Sequence, residues 1–334
     1  MDTFDVGKLV PGFQPPPQAP VAEIDEAALA AAHTRTRQWR SALPGPLPPG
    51  SDRHRHETCR MFRDTFNPYR PAVLDWPVLA PAERARIVAL PIWDIAVQTE
   101  GKARLRMAAY AGTLCEPDMR GALALNAWEE QRHKDVLSRM VAAYGIELAP
   151  EPTPAMPADP EWAYLVTGYS ECIDSFFAFG LFELARRSGL FPQTLVDTFE
   201  PVMQEECRHI LLFANWAGWH RARLSTWARL RFEARVAAVW LYLAWERIGL
   251  ARSVDAARDE PAQEQPHEQD NNFTLHGAQA VSANEVGVAD LMALCLEENA
   301  RRFAGYDERL LRPTTVPRLA RLLLRVLRPF RGWR

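Results

Sequence analysis

The chain has 334 residues, 48% of them hydrophobic, and a formal net charge of −3. This length allows one large domain or two small ones with a substantial core, and the charge gives no bias towards nucleic acid. No apolar run approaches the ~20 residues of a membrane span, and the five cysteines form no CxxC pair that would suggest a rubredoxin-type or zinc-ribbon site.

The amino-terminal region, residues 1–80, is rich in proline and weak in helical periodicity. The stretches PGFQPPPQAP and LPGPLPPG cannot form helix interiors, because proline lacks a backbone donor and clashes with the preceding turn. We predict one short helix near Ala22–Leu43 and an exposed basic stretch at SDRHRHETCR, residues 51–60. The region is interpreted as an extension wrapped over a core, or as partly disordered. Its acidic start is unlike a signal peptide and predicts a cytoplasmic protein.

Long helices are predicted from residue 81 to 250, and short connections between them favour antiparallel neighbours. Their approximate ranges are 82–113, 117–144, 160–188, 192–219 and 224–249. Pro91 is predicted to start or kink the first helix, and Pro201 to bend or restart the fourth. Residues 251–282 are predicted to be a polar linker or loop, and residues 283–334 to form C-terminal helices with a basic amphipathic tail. The predicted fold class is all-α, a helix bundle.

Two segments of these helices share the pattern Glu-Glu-x-Arg-His: WEEQRHKD at 128–135 and QEECRHIL at 204–211. Residues three apart on a helix point to the same side. Glu130 therefore shares a face with His133, and Glu206 shares one with His209. Each pair can offer a carboxylate oxygen and an imidazole nitrogen to one metal ion, so two pairs on two helices can serve two ions.

Each motif follows another glutamate on the preceding helix. Glu100 lies in an otherwise mostly apolar stripe, where an ionised carboxylate without a partner would be costly to bury. Glu171 precedes the second motif at a similar interval. Glu183, on the same helix as Glu171, has Arg187 one turn later and is interpreted as a surface ion pair. A helix bundle can bind two ions with one glutamate from each of two helices and a Glu-x-x-His pair from each of the others.

This order of ligands, over about residues 85–220, resembles the ferritin-like di-iron carboxylate proteins. The doubled motif looks most like the branch holding soluble acyl-carrier-protein desaturases, bacterial di-iron oxygenases and rubrerythrins. The resemblance implies a ferritin-like four-helix bundle whose metal ligands are Glu100, Glu130, His133, Glu171, Glu206 and His209. It further implies that Glu130 and Glu206 bridge the ions, that Glu129 and Glu205 hold the ligand histidines, and that Arg132 and Arg208 offset their charge.

Several departures leave the subfamily open. Rubrerythrins add a cysteine-rich domain, ribonucleotide reductase radical subunits have a tyrosine where this chain has Leu137, and arylamine N-oxygenases have a histidine where it has Val202. Cage-forming ferritins have only one of the two histidines, and bacterioferritins are much shorter chains.

The resemblance implies an oxidoreductase with two iron ions that activates O2 to hydroxylate, desaturate or N-oxygenate a hydrophobic substrate; a manganese–iron pair stays open. Asp174 and Ser175, one turn after Glu171, are predicted to donate protons. The phenylalanines at 176, 177, 179 and 182 could line a substrate pocket, although plain core packing is favoured. Electrons must come from a ferredoxin or reductase, since no Gly-rich nucleotide fingerprint is found. A carrier-protein-bound substrate and a homodimer also stay open.

Two alternatives compete with this function. The first is a ferroxidase or peroxide-detoxifying protein that uses the same metal site without an organic substrate. The second is a non-enzymatic helical adaptor that meets an anionic membrane or an acidic carrier protein through the basic tail. In that tail Arg318, Arg321 and Arg325 share one helical side, and Leu319 and Leu322 another. We favour the interpretation that the apolar side of the tail packs on the bundle while the arginines are solvated.

Overall fold

The computed structural model describes residues 4–17, 25–69, 76–89, 93–148, 150, 155–189, 191–258 and 287–327. This described part of the chain is all-α, with eleven helices and no β-strand. The helices are α1 (Val6–Leu9), α2 (Glu26–Arg37), α3 (Asp52–Asp64), α4 (Pro81–Val88), α5 (Trp93–Thr113), α6 (Pro117–Tyr144), α7 (Pro160–Ser188), α8 (Gln193–Arg223), α9 (Thr226–Arg258), α10 (Val288–Phe303) and α11 (Thr315–Leu327).

The limits of α6 and α7 agree with the prediction because both helices carry strong capping residues. The Glu116 carboxylate accepts from the backbone N–H of Met119 at 2.6 Å, and α6 ends at Gly145 with φ of 64°. The Asp159 carboxylate accepts from the N–H of Trp162 at 3.0 Å in the same way. α8 continues through Pro201 from Gln193 to Arg223, so no helix restart occurs there.

Four long helices surround the predicted ligands. α5 packs against α6 and α7, α7 against α8, and α6 against α8. The predicted first helix, 82–113, is divided into α4 and α5. Pro91 lies between them, outside the described residues.

The prediction of an exposed stretch at residues 51–60 is wrong. These residues enter α3, which packs on α6 and α8, and the side chains of His54 and Cys59 are fully buried. The reason is a helical face formed by His54, Thr58, Met61 and Phe62, with the arginines on other sides. The amino-terminal region is thus wrapped over the core: α1 also packs on α5, and α2 packs on α8.

The carboxyl-terminal part differs from the prediction at the start of the linker. α9 extends to Arg258, so the first residues of the predicted linker 251–282 are helical, while the rest of that linker lies outside the described residues. α10 packs closely on α7 at Gly180, where a Cβ atom would lie 2.3 Å from the Cys295 Sγ. Close approach at this position therefore requires glycine.

The tail helix α11 packs on the bundle through a different side from the one predicted. Ala320 is buried, and Val316 and Leu324 pack beside it. The leucines at 319, 322 and 323 stay exposed, together with Val326. The interpretation that the side carrying Leu319 and Leu322 packs on the bundle is therefore wrong, because α11 turns the neighbouring side around Ala320 inward. None of the described helices combines the length and apolarity that crossing a membrane requires.

Candidate metal centre

The six predicted ligands come from the four long helices. They are Glu100 on α5, Glu130 and His133 on α6, Glu171 on α7, and Glu206 and His209 on α8. Glu130, His133, Glu206 and His209 each place one ligand atom within 4.8 Å of the others. The two imidazole rings lie face to face, with centroids 5.3 Å apart. The doubled motif is thus one buried cluster that could hold a metal.

The carboxylates of Glu130 and Glu206 each contact both histidines. Glu130 Oε1 lies 2.7 Å from the His209 Nδ1, and its Oε2 lies 3.9 Å from the His133 Nδ1. Glu206 mirrors this, with Oε1 3.0 Å from the His133 Nδ1 and Oε2 3.9 Å from the His209 Nδ1. One oxygen of each carboxylate thus faces each histidine, an arrangement suited to bridging two ions.

Glu100 and Glu171 approach the cluster from opposite helices. The Glu100 Oε2 lies 3.9 Å from the His133 Nδ1, and the Glu100 carboxyl hydrogen-bonds to that of Glu130. Both carboxyl oxygens of Glu171 are buried, and no hydrogen-bond partner for them lies in the described part of the protein. Burial, followed by the nearby carboxylates of Glu130 and Glu206, raises the pKa of Glu171 well above its ordinary value.

Each histidine is held by a glutamate from the opposite motif. The His133 Nε2 lies 2.8 Å from Glu205, and the His209 Nε2 lies 2.9 Å from Glu129. Because an ionised carboxylate only accepts hydrogen bonds, Nε2 must be the donor in both contacts. The Nδ1 atoms are therefore the ones turned towards Glu130 and Glu206, as a histidine ligand oriented by an outer carboxylate requires.

Two buried arginines neutralise these outer carboxylates. Arg208 donates from Nη1 to both oxygens of Glu129, at 2.8 and 3.0 Å, and Arg132 contacts the carboxylate of Glu205. Burial alone would raise the pKa of Glu129, but Arg208 and then His209 lower it far below its usual range. The two outer glutamates therefore stay ionised inside the protein, since each has an arginine partner.

α3 and the residues just after it bind the side chains of Arg132 and Arg208. The sequence analysis missed these contacts. Arg208 donates to the Thr65 Oγ1 at 2.8 Å and to the Phe62 carbonyl at 2.5 Å, while Arg132 donates to the Asn67 carbonyl at 2.9 Å. The helical spacing of the apolar residues near Phe62 was an available signal. The partners of the two arginines could not be predicted, because two of these three contacts use backbone carbonyls.

Opposite charges in the cluster shift the ligands' proton affinities. Burial alone would raise the pKa of Glu130, but the His209 ring lowers it to about 2. Burial alone would lower the pKa of His209, but the carboxylates of Glu130 and Glu129 raise it to about 10. Without metal, the histidine thus carries a proton at neutral pH that an ion at the Nδ1 atom would have to displace.

The donor set of the cluster could hold a metal ion. Burying polar atoms without partners is costly, and the Nδ1 atoms of both histidines and the Glu130 Oε1 are buried without an aligned hydrogen bond in the described part of the chain. Four ligand carboxylates would balance the charge of two divalent cations. Oxygen and imidazole donors suit iron or manganese, and the neighbouring Cys207 points its Sγ to the Arg302 carbonyl instead.

Asp174 and Ser175 lie beside the cluster in different settings. Asp174 is partly exposed, accepts from the Ser170 Oγ at 2.8 Å and pairs with Arg247 of α9 at 2.8 Å, whereas Ser175 is buried. Their roles as proton donors stay predictions. Glu183 pairs with Arg186 and, as expected, with Arg187, but its side chain is buried, so the expectation of a surface pair is wrong.

The phenylalanines of α7 are accounted for by packing. Phe176 packs with Met292 and Cys295 of α10, and Phe179 lies under the guanidinium of Arg302 at 4.9 Å. The substrate pocket predicted at these residues stays a prediction.

No protein-family model, curated protein or solved structure matches the chain. The candidate metal centre rests on the geometry of the cluster formed by Glu130, His133, Glu206 and His209.

Proposed function

We propose that the protein is a ferritin-like di-iron carboxylate oxidoreductase that uses O2 to oxidise a hydrophobic organic substrate by hydroxylation, desaturation or N-oxygenation. The observation that carries this proposal is the crossed arrangement of the two motifs. Each contributes one histidine whose Nδ1 faces the cluster carboxylates, one carboxylate that faces both histidines, and one glutamate that holds the histidine of the other motif.

Two bound iron ions would supply the electrons that activate O2. The protein's part is to orient the ligands and to keep water away from them. Glu129 and Glu205 fix the orientation of both imidazoles. Glu100 and Glu171 would complete the two halves of the site, one near His133 and the other near His209.

The substrate and proton path are inferred from the surroundings of the ligands. Ala103 and Met107, one and two turns after Glu100, are buried, as is Phe213, one turn after His209. Apolar neighbours of this kind would favour a hydrophobic substrate. Asp174, which is partly exposed and one turn from Glu171, is placed to exchange protons with solvent. Electrons would come from a separate ferredoxin or reductase.

The test is O2 consumption by the iron-loaded, reduced protein with and without lipophilic candidate substrates. We expect a matching substrate to give an oxidised product in a fixed ratio to the O2 consumed. The ferroxidase alternative predicts instead that Fe²⁺ itself is oxidised repeatedly and accumulates as mineral, far above two ions per chain. That result, without any organic product, would contradict the oxygenase proposal.

A membrane contact of α11 is a second candidate, favoured by the exposure of both Leu322 and Arg321 on that helix. Apolar and arginine sides that are both exposed suit an anionic lipid surface. Co-sedimentation with anionic but not neutral vesicles, lost on Arg321→Glu together with Arg325→Glu, would support it. Lack of vesicle binding by the unaltered chain would contradict the membrane contact of α11.

A further inference from the structure

One side of α9 exposes large apolar side chains. Trp227 and Trp245 are exposed by 79% and 72%, and Leu230 and Leu241 by 55% and 72%. The opposite side of the same helix is buried in the core through Phe232, Val236, Val239 and Leu243. We name the exposed side the outer α9 stripe, formed by Trp227, Leu230, Arg231, Ala234, Ala238, Leu241 and Trp245. Apolar surface of this kind marks an interaction site.

Along the outer α9 stripe, nearly the same residue types follow one another whether the helix is read from its amino or its carboxyl end. Trp227 and Trp245 each lie nine residues from Val236, and Ala234 and Ala238 each lie two residues from it. A contact between two identical copies about a two-fold axis needs this property, because residue i of one copy meets residue j of the other and j meets i. Antiparallel pairing would set tryptophan against tryptophan and alanine against alanine.

We propose that the outer α9 stripe is the interface of a homodimer whose α9 helices pair antiparallel about Val236. The alanines at the centre let the helix axes approach closely, and the tryptophans cover both ends. The stripe is about 27 Å long at 1.5 Å per residue. Its two tryptophans supply roughly a third of the ~800 Å² per partner in a stable interface, and the leucines and the stem of Arg231 add to it.

Other occupants fit the stripe less well. The segment 259–286, which follows α9 in the chain, contains six acidic residues and no lysine or arginine, and offers few large apolar side chains to cover two tryptophans. A lipid surface would meet only one basic residue of the stripe, Arg231, and its alanine centre would insert little apolar area. A second copy satisfies both ends and the centre together.

The pairing would also support the metal centre from outside. The inner side of α9 presents Arg247, which pairs with Asp174 at 2.8 Å, one turn after Glu171. A dimer would hold α9 against α7, the helix that carries this ligand. The dimer does not depend on metal, so it can be measured on the metal-free chain.

The first test is the mass of the full chain in solution by light scattering and sedimentation velocity. We expect twice the 37.8 kDa of one chain. Leu241→Glu combined with Trp245→Glu should raise the dimer dissociation constant at least about 30-fold, because buried tryptophan anchors dominate interfaces. The matched control, Leu322→Glu with Leu323→Glu on the exposed side of α11, should leave the dimer intact. A monomeric wild type, or a stripe variant that dimerises as tightly as wild type, overturns the proposal.

The second test is the direction of pairing. In a Cys115→Ser background, which removes the exposed native thiol, Arg231→Cys and Leu241→Cys chains are mixed and oxidised. Antiparallel pairing about Val236 predicts a disulfide between the two different variants and little within either, since identical positions would lie about 15 Å apart along the axes. Efficient cross-linking of Arg231→Cys with itself contradicts the arrangement. A monomer that binds anionic vesicles through the stripe would assign it to membrane and contradict the dimer.

Discussion

Each ligand histidine uses its two ring nitrogens for different tasks. At His133, Nε2 is bound by Glu205, 2.8 Å away, while Nδ1 faces the cluster carboxylates. Glu205 would therefore act on a bound metal only through the orientation and basicity of the His133 ring. Its effect can be separated from that of the ligands.

Replacement of the outer glutamate tests this role. Glu205→Gln keeps the size of the side chain but removes the charge that holds His133 and pairs with Arg132. We expect metal affinity to fall about 10–100-fold, measured by competition with a chelating indicator, while far-ultraviolet circular dichroism stays helical. Glu183→Gln is the matched control, because Glu183 also pairs with arginine but lies outside the cluster. Equal affinities in both variants would contradict the role of Glu205.

Metal binding should release protons, because ligands of the metal-free cluster hold them at neutral pH. The pKa of His209 is raised to about 10 by its glutamate neighbours, despite burial. Burial, and then the Glu130 carboxylate, raises the pKa of Glu100 well above its usual value. A raised pKa means that the proton is bound below it and must be displaced by the ion. Metal affinity should therefore increase as pH rises from 6 towards 9, with proton release into weakly buffered solution. A pH-independent affinity would contradict the displacement of protons by the metal.

At the scale of elements, α3 stabilises the centre without supplying a ligand. Thr65, just after α3, accepts a hydrogen bond from the buried Arg208. Thr65→Val removes that acceptor and should lower the free energy of unfolding by about 1.5–3 kcal/mol, measured by urea denaturation. Thr34→Val is the control, because the Thr34 hydroxyl lies exposed on α2 and bonds its own helix. A loss at Thr65 no larger than at Thr34 would show that α3 does not hold Arg208.

The helices differ in how far sequence predicts them. α6 and α7 were predictable to the residue because Pro117, Gly145 and Gly189 are local signals for their ends. α3 was misread because its basic residues drew attention away from the apolar face near Phe62, whose packing partners α6 and α8 are far away in the sequence. Its contacts to Arg208 are long-range, so no local pattern encodes them.

At the scale of the whole molecule, the cluster of two glutamates and two histidines was predictable because a helix bundle imposes a spacing on such motifs. Glu130 and His133 repeat as Glu206 and His209, and the repeat survives in the structure as crossed contacts between α6 and α8. The outer stripe of α9 was not predictable in the same way. Its apolar residues fit a buried helix equally well, and only the packing of Phe232 and Val239 inward leaves Trp227 and Trp245 exposed.

The measurement that tests the central claim most directly is metal content per chain after expression with iron and manganese, for the wild type and three histidine variants. We expect about two iron ions in the wild type and in His220→Ala, whose ring pairs with Glu161 away from the cluster. His133→Ala and His209→Ala should each lose metal while keeping their helicity, because each removes a ring nitrogen from the cluster. Two ions per chain in both of these variants would contradict the metal centre.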